Sequence, residues 1–180
     1  MNLPGSLRDG VEALGLNLQQ SQYDQLLEFL YLLEKWNKAY NLTAIRGLEA
    51  MLSYHLLDSL SMPDTLWILL DSNGKKTRFM QQAFAHCGIR NAQVVQSRVQ
   101  DYHAPDSLDF IVSRAYASLA DFCRSVDHLL EPNTRLVTMK TGLEKAEIQG
   151  LDTTRFELEE TPLVVPGIRE KRSLVTLRQI

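Results

Sequence analysis

A chain of 180 residues, 44% apolar and 23% charged, suits one domain of ordinary size, or one domain with an extension, and excludes wholesale disorder. A formal net charge of -3 and a pI near 5.8 exclude a globally basic nucleic-acid binder, so any phosphate contact must use local patches. Cys87 and Cys123, without C-x-x-C spacing, read as buried small hydrophobes in a reducing compartment; with no membrane-length apolar run and no signal-peptide pattern, a cytoplasmic protein off the membrane is expected.

Residues Leu3 to Leu16 carry a weak amphipathic pattern interrupted by Gly5, Gly10 and Gly15. Ser21 opens a stronger helix: Ser21-Gln22-Tyr23-Asp24 has the S-x-x-D form of a helix start, with Asp24 facing the positive end of the dipole. Leu26, Leu27, Leu30, Leu33 and Trp36 follow at helical spacing, and the pattern ends near Asn41. The segment Trp36 to Arg46 gathers amides, a hydroxyl, aromatics and cations, a mixture able to contact RNA. Periodicity favours a plainer reading, a helix end whose Asn41 and Thr43 satisfy loose backbone groups. A third helix is predicted over Leu48 to Leu60, with Met51, Leu52, His55, Leu56 and Ser59 on one side.

The stretch Trp67 to Phe79 is the most informative. Four apolar residues suit a buried parallel strand, and the chain then reaches Asp71, the turn residues Ser72, Asn73 and Gly74, and a helix carrying Lys75, Lys76 and Arg78. In open α/β sheets, ligands sit beyond the carboxyl ends of the strands, where an acid commonly holds a ribose hydroxyl pair. Strand, acid, turn and helix therefore suggest a nucleoside-bearing cofactor; the alternative is a surface aspartate capping the next helix. The cations of this stretch, and those of Arg169-Lys171-Arg172, are the two local patches, with solvated faces as the competing account.

The helix continues to Cys87, with Gly88 as its cap. A strand follows within Asn91–Ser97, then Arg98-Val99-Gln100-Asp101. The next strand is Leu108–Val112, leading into Ser113-Arg114-Ala115-Tyr116. A helix over Ser118–Leu130, a turn at Pro132-Asn133 and a strand over Arg135–Met139 with Lys140 at its carboxyl end come next. Arg155–Val165 and Lys171–Arg178 flank Pro166-Gly167 as a closing antiparallel hairpin at the sheet edge. The alternation predicts an α/β, doubly wound, mostly parallel sheet, residues 61–180, behind a helical extension, residues 1–60.

Five strings agree in order with one family: Trp36-Asn-Lys-Ala-Tyr-Asn-Leu-Thr43, His55-Leu-Leu-Asp-Ser59, Leu70-Asp-Ser-Asn-Gly-Lys-Lys-Thr-Arg-Phe79, Val112-Ser-Arg-Ala-Tyr-Ala-Ser118 and Val165-Pro-Gly167. Over nearly its whole length the chain resembles the bacterial ribosomal RNA small-subunit methyltransferase G family, also called the glucose-inhibited division protein B family. The resemblance implies a class I, Rossmann-like methyltransferase domain with S-adenosylmethionine as methyl donor. It implies N7 of one guanosine in the 530 loop of 16S ribosomal RNA as acceptor, met as RNA or as the small ribosomal subunit. Asp71 takes the place of the acid that holds the ribose hydroxyls. Val99 and Gln100 match the pair along the adenine, where many relatives have Glu in place of Gln100. Arg114 matches an arginine bordering cofactor and base. Lys140 falls at a lysine that the family follows with glycine, although Thr141 intervenes here. Lys75, Lys76, Arg78, Lys140 and Arg172 are then expected on the RNA. N7 has a free lone pair, so no general base is required, and His55, His86, His103 and His128 read as structural or surface groups. A monomer without a metal is expected.

One block of the family pattern is missing. A strand ending in an acid, a D-x-G-x-G-x-G loop and a helix should precede Trp67, yet only Ser61 to Leu66 separate it from Leu60. Six residues cannot supply a βα unit of about twenty or more. The absent strand belongs between Trp67–Leu70 and Leu108–Val112. Either the sequence joins two segments around a lost part, or the gene product is shortened. Stranded backbone groups at roughly 1–3 kcal/mol each, against a domain stability of about 5–15 kcal/mol, disfavour an evolved compact enzyme. The loss also opens a second functional reading, a non-catalytic RNA-binding or assembly protein derived from the enzyme. A nicotinamide oxidoreductase ranks below both, for want of G-x-G-x-x-G.

Overall fold

Helix α2 (Gln20–Tyr40) shows how the chain sets its boundaries. The Gln22 side chain reaches back to the Gln19 N–H at 2.8 Å, occupying a donor that a helix start leaves open. The helix therefore begins one residue ahead of Ser21, and Asp24 lies past the first turn, accepting from Gln20 Nε2 at 2.8 Å. It ends at Asn41, whose φ of 51° is left-handed and whose N–H returns to the Asn37 carbonyl at 3.0 Å. Asparagine is one of the few non-glycine residues that tolerate that conformation.

The computed structural model describes residues 2–60, 66–114, 118–143 and 145–180. They form two compact units, Met1–Arg98 with Val165–Ile168, and Val99–Val164 with Arg169–Ile180. The Ser61–Leu66 junction, apart from Leu66, and residues 115–117 of the Val112–Ser118 string lie outside the described residues.

In the first unit, α1 (Leu3–Ala13) and α2 pack with α3 (Leu48–Met51), which continues as a π-helical segment, Leu52–Leu57. The wider turn explains a departure from the expected face: Leu57 joins Met51, Leu52 and Leu56 in the interior, whereas His55 stays half-buried. Strand β1 (Trp67–Leu70), helix α4 (Gly74–Cys87) and strand β2 (Ala92–Val95) follow. β1 and β2 pair in parallel, Trp67 opposite Ala92 and Leu70 opposite Val95. Asn73 starts α4 by accepting from the Lys75 N–H at 2.9 Å, and Gly88, at φ 66°, ends it. The expected buried strand is corrected here: all four residues of β1 are half-buried, because among the described residues its sheet has two strands.

The second unit carries β3 (Phe110–Arg114), α5 (Leu119–Val126), β4 (Arg135–Lys140), α6 (Lys145–Gln149), β5 (Phe156–Leu163) and β6 (Arg172–Gln179). Its sheet runs β3-β4-β6-β5, with β3 parallel to β4 and β6 antiparallel to both neighbours. β3 begins and ends two residues later than expected because its ladder to β4 runs from Phe110 opposite Arg135 to Arg114 opposite Met139. The short helix α6 was not foreseen. Ser118 caps α5 by accepting from the Asp121 N–H at 3.0 Å. Leu119, Phe122, Val126, Leu136, Val175 and Leu177 are almost fully buried beside Cys123 and Phe156. Each large aliphatic there contributes about 1.5–3 kcal/mol.

Among the described residues no ladder joins β1 to β3. The sheet expected to be continuous is thus divided between the two strands that the absent strand would have separated. The closing hairpin is where the sequence put it, with β6 against β4 and β5 at the edge.

Candidate functional site

At the carboxyl end of β1, Asp71 follows directly on Leu70, and its own N–H donates to the Val95 carbonyl at 3.3 Å. One carboxylate oxygen accepts from the Asn73 N–H at 2.7 Å, which fixes the turn into α4. The other lies 3.1 Å from Lys76 Nζ, with the Asp71 side chain 27% exposed. The structure thus brings Asp71, Lys75, Lys76 and Arg78 together around the start of α4. Arg78 is partly committed, since its Nε donates to the Gly74 carbonyl at 3.0 Å. Gly74 is closely approached by the Gln96 side chain: a Cβ there would lie 3.1 Å from Gln96 Nε2. Thr77 Oγ1 donates to Gln96 Oε1 at 3.3 Å, tying α4 to the end of β2.

In the second unit, parallel β3 and β4 bring their carboxyl ends to one edge. Arg114 lies opposite Met139, Lys140 lies opposite Ser173, and Arg172 is the next residue along β6. Three of the expected residues therefore share that edge. Arg114 is exposed. Lys140 is not a free cation: its Nζ meets Glu147 Oε1 at 2.6 Å, and the two side chains are only 13% and 20% exposed. No sequence signal marked Glu147, which reaches Lys140 through α6. Val99 and Gln100 sit in a 3-10 turn, Val99–Asp101, with Val99 packed against the core of this unit and Gln100 exposed. A surface depression of about 360 Å³, lined by residues that include His103, Asp106, His128 and Glu131, opens at the amino ends of β3 and β4. It includes none of the expected site residues.

The segment Trp36 to Arg46 is mostly a self-satisfied turn. Asn37, only 2% exposed, donates to the Ile45 carbonyl at 3.1 Å and accepts from the Thr43 N–H at 2.9 Å. Thr43 Oγ1 lies 3.0 Å from His55 Nε2 and accepts from the Ile45 N–H at 3.2 Å. The plainer reading holds for Thr43, but Asn37 rather than Asn41 is the buried polar centre of the turn. His55 and His128 are in hydrogen bonds to Thr43 and to the Tyr102 carbonyl. Both cysteines are free and buried, and burial pushes the Cys123 thiol up to about 11.

Parallel strands crossed by helices, an acid at the end of β1 and a closing antiparallel hairpin define a class I, Rossmann-like methyltransferase fold. A putative O-methyltransferase from Klebsiella pneumoniae shares it at a TM-score of 0.52 and 10% identity, covering 94% of this chain and 93% of that one. A protein of the NADB-Rossmann superfamily from Streptococcus agalactiae also has a TM-score of 0.52, at 16% identity, covering 91% and 69%.

The family model described as rRNA small subunit methyltransferase G matches residues 22–67 and 62–175, in two segments that meet at the junction. A ribosomal RNA small subunit methyltransferase G from Nitrosococcus oceani is 38% identical, covering 96% of this chain and 93% of its own. Its counterpart from Pseudomonas syringae pv. tomato is 39% identical, covering 96% and 95%. The chain belongs to the rRNA small subunit methyltransferase G family. The alignment to the first relative spans 199 positions, whereas 96% of 180 residues is about 173, so about 26 positions have no residue here.

Proposed function

We propose that the family role of this protein is transfer of a methyl group from S-adenosylmethionine to N7 of a guanosine in the 530 loop of 16S ribosomal RNA. The supporting observation is family membership, with Asp71 at the carboxyl end of a parallel strand and its carboxylate within reach of solvent. In this reading the residues present would serve the nucleoside end of the cofactor. Asp71 would accept from the ribose hydroxyls in competition with Lys76, while Val99 and Gln100 would lie along the adenine. They do not supply the methionine end, since no glycine occurs between Gly47 and Gly74 and the loop that approaches that end has no counterpart. When bound, the cofactor supplies a sulfonium-activated methyl. The protein's part is then to hold the base in line and exclude water, because N7 needs no deprotonation. Guanine presents N7 on its Hoogsteen edge, so an open loop is the form that exposes it to protein. Arg114 would border base and cofactor. Lys75, Lys76, Arg78 and Arg172 would meet phosphates, with Lys140 contributing less while Glu147 holds its charge.

The divided sheet favours a second reading, an RNA-binding or assembly protein descended from the enzyme, acting in the cytoplasm. Calorimetric titration with S-adenosylmethionine separates the two. Saturable binding that Asp71→Asn weakens about tenfold or more supports the methyltransferase. No saturable uptake by a wild-type chain that still binds 16S RNA supports the second reading.

A further inference from the structure

Helices α2 and α4 run antiparallel, as three contacts along them show. Gln25 Nε2 donates to the Cys87 carbonyl at 3.0 Å, Phe29 lies 5.9 Å from Phe79 between ring centroids, and Trp36 lies 5.8 Å from the same ring. Advancing along α2 therefore retreats along α4; Phe79, shared by Phe29 and Trp36, lies level with about residue 33 of α2, which puts Lys75 level with about Asn37, roughly one helical turn short of Tyr40 and within reach of a long side chain. Tyr40 leans on Trp36 at 5.0 Å between centroids and remains 45% exposed. Arg46 follows in the turn, exposed but held: its guanidinium donates to Asn41 Oδ1 at 2.9 Å and to the Thr43 carbonyl. Two of its five N–H donors serve that purpose, leaving others open among the described residues. Lys75 is exposed and has no ion-pair partner among the described residues, in contrast to Lys76 and Lys38.

We propose that Tyr40, backed by Trp36 and flanked by Arg46 and Lys75, is a stacking platform for an unpaired base of the RNA substrate, with the cations on its flanking phosphates. An aromatic face offers sequence-tolerant stacking, and adjacent cations track the backbone, the combination by which proteins take single-stranded RNA. What favours a platform over a merely solvated helix end is that the exposed ring, the open guanidinium donors of Arg46 and Lys75, unpaired among the described residues, belong to the same end of the α2–α4 pair. The inference rests on the RNA-substrate reading above but requires no bound cofactor, so it applies to this chain with or without the missing block.

The test is fluorescence anisotropy with a labelled 16S hairpin carrying the 530 loop, and with a fully paired duplex of equal length. Tyr40→Leu keeps apolar cover on Trp36 and removes the ring. It should weaken hairpin binding roughly 5- to 100-fold and leave duplex binding unchanged, while Tyr40→Phe retains wild-type affinity. Arg46→Ala and Lys75→Ala should weaken both RNAs and each lower the salt slope by about one. Thermal melts matching wild type show that the variants are folded; should Tyr40→Leu melt early, Tyr40→His, a smaller and more polar ring, gives an intermediate loss if the platform is real. Wild-type affinity for the hairpin in Tyr40→Leu, with the wild-type chain binding it well, overturns the platform alone. Failure of the wild-type chain to bind the hairpin at all overturns the RNA-substrate reading beneath it.

Discussion

Cys123 lies in the core of the second unit, beside Phe122 and Val126 on α5, and desolvation there raises its thiol from 9.0 to about 11. The raised value has a defined consequence for stability. Below pH 9 the thiol is protonated folded or unfolded, and the group is neutral to the balance. Between pH 9 and 11 the unfolded chain loses its proton first, so native stability falls as pH rises through this window, by ~2 kcal/mol in total. Urea midpoints of wild type minus those of Cys123→Ala should show a downward step between pH 9 and 11 and none from pH 6 to 8.5. A flat difference would show that the thiol is hydrated. At this scale the sequence was partly legible. Two cysteines far apart in sequence and without C-x-x-C spacing read as buried small hydrophobes, and both are buried. Asn37 did not, because a buried amide serving two backbone groups looks in sequence like any helix-surface asparagine. Glu147 did not either, since nothing in the spacing connects it to Lys140.

Helix α1 comes close to the π-helical segment Leu52–Leu57 through Gly10, where a Cβ would lie 2.5 Å from Leu57 Cδ1. The glycine that weakened the sequence pattern thus permits the contact, and propensity yields to packing. Alanine at this position gains about 1 kcal/mol of helix propensity and pays about 1–3 kcal/mol for displacing a packed leucine. Gly10→Ala should therefore lower the unfolding free energy by ~1 kcal/mol. In a Leu57→Ala background, with room made, the same substitution should become stabilising, and equal effects in both backgrounds would refute the steric account. Element boundaries were legible wherever a side chain sets them locally, as Asn73 and Gly88 do for α4. They shifted where pairing partners decide, as at β3, whose ends follow its register against β4 rather than its own apolar run. The Leu48–Leu60 helix was placed correctly, but its π-helical turn has no counterpart in a 3.6-residue pattern. For the site, Asp71 and the cations of α4 were legible because they adjoin a strand in sequence. The edge shared by Arg114, Lys140 and Arg172 depends on tertiary pairing, and only a family resemblance pointed to it.

Across the molecule, the two sheets differ in how well their backbones are protected. β4 is flanked on both sides, by β3 and β6. Among the described residues β1 is paired on one side only: the N–H groups of Trp67 and Asp71 point to β2, so in a parallel ladder those of Ile68 and Leu70 point to the other edge. An isolated two-stranded sheet is marginal in water, and among the described residues β2 is the strand that pairs with β1. Native-state hydrogen exchange should therefore rank the amides in a fixed order. Ile68 and Leu70 should exchange fastest, near the rate of surface groups. Trp67 and Leu69 should follow, and Leu136 to Met139 of β4 should be slowest, opening only with global unfolding. The gap between the first and last groups should exceed 100-fold, and restoring a relative's strand, loop and helix between Leu60 and Trp67 should close most of it. If Ile68 and Leu70 of the unmodified chain are as protected as β4, another strand already covers that edge. Intact mass would then show whether it comes from this polypeptide: a value above 20.5 kDa assigns it to this chain, and agreement with 20.5 kDa assigns it to a second copy or a partner.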